Sequence, residues 1–467
     1  MYREKIEAYI DSHRQEMIDD ICTLCRIDSQ KMPYSAGKPY GEGAFRVLNM
    51  ALDLAHGYGF EINNYDNYVG TADLNDGPAQ LDILAHLDVV PAGEGWTVTE
   101  AFKPVEKDGK LYGRGTSDDK GPAVAALYAM RCVKELGIPL TKNVRLILGT
   151  DEECGSSDIE HYYSVEKEAP MTFSPDGEFP VVNIEKGRLE GHFDSSFEPS
   201  EALPRLASFI SGTKANVVPG KAQALVLGLE PEAVLAFAKK AQEETGICFT
   251  VSASEEGVSI LAEGKGAHAS TPGEGRNALT GLLKLIASLP LAPCPQFEAL
   301  KALEGLMPHG DTCGRVLGVN LSDELSGELT LAFSMLTVKE DGLEGVFDSR
   351  CPICSNEENT LKVIKERMAK AGIVLHNDSM TPPHHVDGDS HFVRTLNRVY
   401  EEYTGLKGGC LAIGGGTYVH GLKNGVAFGA SFPGTDTHMH GADEFAVIDE
   451  LLACAKIFAQ VIVELCA

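Results

Sequence analysis

Short apolar runs and amphipathic stretches alternate along the first 185 residues. Leu81–Ala85 is a run of buried-strand character broken only by Asp82, and Val144–Gly149 is a second. Each leads straight into polar residues, His86 in the first case and Asp151-Glu152-Glu153 in the second. Met171-Thr172-Phe173 is a third short strand and delivers Asp176. Between them the spacing predicts a helix from Arg3 to Cys25, another from Gly43 to Gly57 carrying Phe45, Leu48, Leu52 and Ala55, and a largely apolar one over 123–137. Pro122 suits the first turn of that last helix.

The pattern changes after about Glu185. Residues 187–380 alternate more strictly and carry amphipathic helices from Pro231 and over 356–372. This reads as an α+β insertion. Asn216–Gly220 and Phe347–Arg350 each precede a further element and suggest a duplication. The first pattern returns near Pro382, with a helix over 390–405, a strand at Cys410 running into Gly414-Gly415-Gly416, a strand over 426–430, and a closing helix over 445–466. Strands alternating with helices predict an α/β domain, and in such sheets ligands collect beyond the carboxyl ends of the strands.

Five distant segments supply side chains that hold a hard or borderline cation: His86 with Asp88, Asp118-Asp119, Glu152-Glu153, Asp176, and His440 with Glu444. Two imidazoles and three carboxylates form an inventory for a pair of zinc-like ions, with one glutamate spare to move a proton. Taken singly, each segment has a plainer explanation. Asp118-Asp119 could cap a helix, Glu152-Glu153 and Asp176-Gly177 could be solvated turns, and His440 with Glu444 could be a helix-start ion pair. Together they predict metal-assisted hydrolysis. Asp88 is expected to take the second ring N–H of His86.

Charge narrows the partners. A formal net charge of -28 and a pI near 4.9 repel phosphate backbones and anionic lipid, so neither nucleic acid nor membrane is expected. No stretch approaches the roughly 18 apolar residues of a membrane span. Met1–Lys5 runs into a charged amphipathic segment without a signal-peptide pattern, so a cytoplasmic location is expected. Twelve cysteines are too few for a disulfide scaffold at this length. The pairs Cys22/Cys25 and Cys351/Cys354 read as free thiols. No G-x-S-x-G elbow points to a serine hydrolase.

The order His86-x-Asp88, Gly113-Arg114-Gly115-Thr116-x-Asp118-Asp119-Lys120-Gly121, Asp151-Glu152-Glu153, Pro175-Asp176 and His440-x-x-Asp443-Glu444 resembles the co-catalytic di-zinc peptidases over essentially the whole chain. That family contains aminoacylases, glutamate-type carboxypeptidases, desuccinylases and dipeptidases. The words His86–Gly93 with Trp96, Lys214-Ala215-Asn216, Gly266–Pro272 and Gly414–Tyr418 are similar to the monomeric broad-specificity bacterial dipeptidases of the Xaa-His, carnosinase-like group.

The resemblance implies a zinc-exopeptidase-like α/β catalytic domain, residues 1–185 and 384–467, with an inserted ferredoxin-like, duplicated lid over 186–383. It implies two Zn2+, with Mn2+ or Co2+ as substitutes. Asp118 would bridge them, His86 and Asp176 would complete one site, and Glu153 and His440 the other. Glu152 would be the general base, with Asp88 beside His86, and the Asp118–Asp119 peptide would be cis. His268 would donate to the oxyanion. Asn216 and Arg350 would hold the substrate's C-terminal carboxylate, and Gly415 would let backbone approach the substrate. The substrate would be an unblocked dipeptide and the enzyme a monomer, with a dimer the alternative. The competing readings are an N-acyl amino acid amidohydrolase or succinyl-diaminopimelate desuccinylase-like deacylase and, more remotely, an inactive binding protein. Ser349 and Cys351 around Arg350, and the pair His384-His385, depart from the usual wording and bear on specificity.

Overall fold

A computed structural model describes residues 2–467. It divides into two units, one of residues 1–184, 385–411 and 416–467, the other of residues 185–384 and 412–415.

In the first unit Ala79–His86 lies between Asn143–Gly149 and Met171–Ser174 and runs parallel to both. Gly425–Ala427 extends the sheet, parallel to Met171–Ser174. These strands are buried almost throughout, as a parallel sheet covered on both faces requires. Parallel pairing puts their carboxyl ends on one edge, with His86 opposite Gly149 in the register. Side chains that follow three different strands therefore emerge together.

The helices Lys120–Glu135 and Ile448–Cys466 supply much of the core. Both are apolar nearly all round because they are buried nearly all round. At the outer edge lie the antiparallel strands Glu61–Tyr65 and Val69–Asp73.

Some local expectations change. The predicted first helix is two, Arg3–Ser12 and Arg14–Cys25, parted at His13, whose ring bonds the Tyr9 carbonyl at 2.8 Å. The closing element begins with a short strand, Phe445–Val447, and only then becomes the helix Ile448–Cys466. The predicted helix over 356–372 opens with a π-turn, Glu357–Leu361, before Lys362–Lys370.

The second unit has its own core around Phe209, Ile260, Leu282, Leu336 and Phe347. Its eight-stranded sheet contains a repeated topology. The hairpin Arg205–Ser211 and Lys221–Leu227 is followed by the helix Pro231–Thr245 and the edge strand Cys248–Ala253. The hairpin Thr330–Val338 and Gly342–Cys351 is followed by the helix Lys362–Lys370 and the edge strand Val374–Leu375. In each half one further strand, Val258–Glu263 or Gly187–Ser196, lies between the hairpin and that edge.

Cys22 and Cys25 pack inside a helix, and all twelve cysteines are free thiols. Among the described residues no helix is long and apolar enough to cross a membrane.

Candidate metal centre

The site is built where the parallel strands end. His86 is fully buried at the last position of its strand. Its Nδ1 lies 3.1 Å from the Asp88 carbonyl oxygen and 3.4 Å from an Asp88 carboxylate oxygen. Nδ1 therefore carries the proton, and Nε2 presents its lone pair 3.0 Å from Asp118 Oδ1. The other oxygen of the same carboxylate, Oδ2, lies 2.9 Å from His440 Nε2. One carboxylate thus stands between two imidazoles. Asp176 Oδ2 is 3.6 Å from His86 Nε2, and Glu153 Oε1 is 3.3 Å from His440 Nε2.

Two sets of possible ligand atoms lie within 4.8 Å of one another, those of His86, Asp118 and Glu153 and those of His86, Glu152 and Asp176. The five ligand candidates and Glu152 are brought together by geometry alone. A cation fits this donor set. A ring nitrogen lone pair set against a carboxylate oxygen at 3.0 Å needs a proton or a metal ion between them. The side chains bearing on Asp176 include the Asp118 and Glu153 carboxylates and the two imidazoles, and burial beside Asp118 pushes Asp176 up to about 7. Hydrogen bonds from its ring to the Asp118 and Glu153 carboxylates raise His440 to about 10. Burial, then the Asp176 and Glu153 charges, lift Glu152 well above the usual carboxylate range.

Asp88 does more than expected. Its carboxylate accepts the backbone N–H of Glu152 at 3.2 Å and of Glu153 at 3.1 Å, while its main-chain carbonyl makes the closer contact with the imidazole. It fixes the turn that carries both glutamates. That turn is also held from behind. The Asp158 carboxylate accepts from the N–H groups of Thr150 and Asp151 and from the Tyr418 hydroxyl, and burial raises it to about 7. Position 149 must be glycine here, because a Cβ would meet Tyr418 Oη at 2.1 Å.

The Asp118–Asp119 peptide is cis. Asp119 is buried and accepts the His86 N–H at 3.1 Å. Lys120 is buried too, and its ammonium donates to the carbonyls of Leu24 and Ile27 at the end of the second helix. A Cβ at Gly121 would meet the Thr116 carbonyl oxygen at 2.0 Å, so the tight Thr116–Gly121 turn needs glycine.

Glu444 is not a ligand. It is fully buried, pairs with Arg114 at 2.6 Å, and accepts the N–H groups of Gly115, Ser117 and Asp118. Sequence reasoning missed this arrangement and the Asp158–Tyr418 pair. Their partners lie hundreds of positions apart, and no local spacing marks them.

A sequence profile described as peptidase family M20/M25/M40 matches residues 83–464. The chain belongs to this family. It is a metallopeptidase, a hydrolase. Over 469 residues it is 36% identical to YtjP of Bacillus subtilis (strain 168), covering 98% of this chain and 99% of that one. Over 471 residues it is 33% identical to the Beta-Ala-Xaa dipeptidase of Lactobacillus delbrueckii subsp. lactis, covering 99% and 98%. Human carnosine dipeptidase 1 shares the fold with a TM-score of 0.61 at 17% identity, covering 100% of this chain and 99% of that one. The aminoacylhistidine dipeptidase of Vibrio alginolyticus shares it at 0.59 and 16% identity, covering 96% of each.

The remaining predicted site residues of this M20/M25/M40 peptidase lie in the second unit. His268 sits on a short strand beside Val217. Its Nδ1 accepts the Ser270 N–H at 3.2 Å, which leaves the ring proton on Nε2. Asn216 accepts the Ala269 N–H through its main-chain carbonyl. Arg350 is buried, gives Nε and one Nη2 proton to Asp348, and donates through Nη1 to the Gly414 carbonyl, next to Gly415. Three of its five N–H groups are engaged in these contacts.

Proposed function

We propose that this metallopeptidase hydrolyses the peptide bond of unblocked dipeptides, acting as a monomer in the cytoplasm. The observation that carries the reading is the Asp118 carboxylate held between His86 and His440, with the Glu152 turn clamped beside it.

In this reading His86, Asp118 and Asp176 would hold one divalent ion and Asp118, Glu153 and His440 a second, zinc by preference. Such ions, when bound, polarise the scissile carbonyl and make an attacking water more acidic. The protein's own contribution is proton management and orientation. Glu152 takes the proton of the attacking water and passes it to the leaving amine. Asp88 keeps the imidazole of His86 in the tautomer that leaves Nε2 unprotonated, through its carbonyl, and keeps Glu152 in place through its carboxylate.

His268 is assigned to the oxyanion, a role that suits a ring with its proton on Nε2. Asn216 and Arg350 are assigned to the C-terminal carboxylate of the substrate, and Gly415 to a close backbone approach.

The test is a panel of dipeptides and their N-acetyl forms, assayed with the protein as purified, after chelation, and after zinc is restored. Cleavage of the free dipeptides alone, lost on chelation and recovered with zinc, is expected. Cleavage of the acetylated forms alone would make the enzyme a deacylase. Turnover unchanged by exhaustive chelation would end the metal reading.

A further inference from the structure

His440 is carried by a segment without regular secondary structure. The chain passes through left-handed backbone at His438, His440 and Asp443, with φ of 56°, 63° and 55°, a region that non-glycine residues seldom occupy. Backbone bonds from Gly441 to the His438 carbonyl and from Phe445 to the Thr437 carbonyl close this segment on itself, and side chains tie it to its neighbours. Asp443 accepts the N–H groups of Thr97 and Val98 and the Thr97 hydroxyl. Glu444 turns inward and accepts three N–H groups of the loop that ends at Asp118, at 3.0, 3.1 and 3.3 Å. Its other oxygen pairs with Arg114 Nη1 at 2.6 Å, and both side chains are buried. Arg114 Nη2 then donates to the carbonyl of Gly441 at 3.0 Å and to those of Pro91 and Ala92 at 3.3 Å. Ala92 in turn accepts the Trp96 indole N–H at 2.7 Å.

One buried ion pair therefore touches three segments at once: the loop after His86 and Asp88, the loop before Asp118, and the segment bearing His440. We propose that Arg114 and Glu444 are positioning residues that set the distance between the His86 and His440 sides of the Asp118 carboxylate, and through it the affinity for the second divalent ion. The inference rests on the two-ion reading above.

A merely structural pair would behave differently. Removing one buried partner lowers stability generally and would loosen every ligand alike. A positioning pair acts on the side it steers. The pair fixes the His440 segment to the rest, whereas His86 and Asp176 follow strands of the central sheet and stay in place without it.

The experiment is a zinc titration of the full-length apoprotein against a chromophoric chelator, with thermal unfolding measured in parallel. Glu444→Gln keeps an oxygen for the three N–H groups and removes the charge. The double variant Arg114→Met/Glu444→Met removes both charges, so that no buried ion is left unpaired. In each, the first equivalent should bind as in the wild type and the second should weaken by about 10- to 100-fold, the scale of lost outer contacts to metal ligands. If Glu444→Gln does not fold, the double variant decides. Two equivalents at wild-type affinity in a folded variant, or both equivalents weakened by the same factor together with a lower unfolding temperature, would overturn the inference. His440→Ala separates it from the reading beneath: a wild type that binds one equivalent, unchanged by His440→Ala, would defeat the two-ion centre itself.

Discussion

The two units assemble their candidate residues by opposite means. In the first, parallel strands end on one edge, and whatever follows them converges; His86, Glu152, Glu153 and Asp176 are neighbours because of topology. In the second, antiparallel register does the work. Val217 pairs with His268, and Arg350 closes onto Asp348 two residues before it on the same strand. The first unit concentrates negative charge around two imidazoles and calls for cations. The second neutralises its charges internally, with Arg188 and Arg350 both on Asp348. The proposed function accordingly assigns chemistry to the first unit and recognition to the second, and each half of that division can be broken separately.

Glu152→Ala makes the sharpest break. Loss of a general base should lower kcat by about 10²–10⁴-fold. Metal content, measured by elemental analysis on the same sample, should stay at the wild-type value. Because the Glu152 carboxylate lies within ligand distance of His86 and Asp176, loss of metal would instead make it a ligand.

Arg350→Ala tests the other half. Asp348 keeps Arg188 at 2.8 Å, so the fold should survive. A charge-assisted bond to a carboxylate contributes about 1.5–3 kcal/mol, which corresponds to roughly a 10- to 100-fold rise in KM for dipeptides. The same variant assayed on dipeptide amides should differ little from wild type. A fall in kcat with KM unmoved would shift Arg350 from recognition to the chemical step.

The same contrast explains what was legible in the sequence. Leu81–Ala85 and Val144–Gly149 announce themselves as buried strands, so the placement of His86 and Glu152-Glu153 at strand ends follows from apolar runs. Asp118 and His440 come from loops; the inventory of cation-holding side chains made them candidates, and only the resemblance to a known family gave each a role. Glu444 read as a ligand or a helix-start ion pair because it follows His440, and nothing local says that its partner is Arg114. The strand Glu61–Tyr65 is too polar and exposed to betray itself. The break at His13 was invisible because Ile10 and Met17, two turns apart, keep the same buried stripe across it.

A separate expected effect concerns stability and lies away from the metal centre. Asp82 sits mid-strand in the first unit, one side of it against Arg145 in the register and the other against Thr172. It accepts the Ala169 N–H at 3.1 Å, and burial pushes it up to about 7. The sign follows from linkage. An unfolded aspartate titrates near 4, so between about pH 4 and 7 the folded chain holds a proton that the unfolded chain has released. Stability therefore falls as pH rises through that window, by up to about 1.4 kcal/mol per pH unit from this group. Above pH 7 the cost of the buried carboxylate is fully present. Asp82→Asn keeps the acceptor for Ala169 and cannot ionise. Urea unfolding of this variant should show a shallower decline from pH 4 to pH 7 than the wild type and a higher midpoint at pH 8. Parallel pH profiles for the two proteins would mean that Asp82 is ionised in the folded chain, with Arg145 as its effective counter-ion.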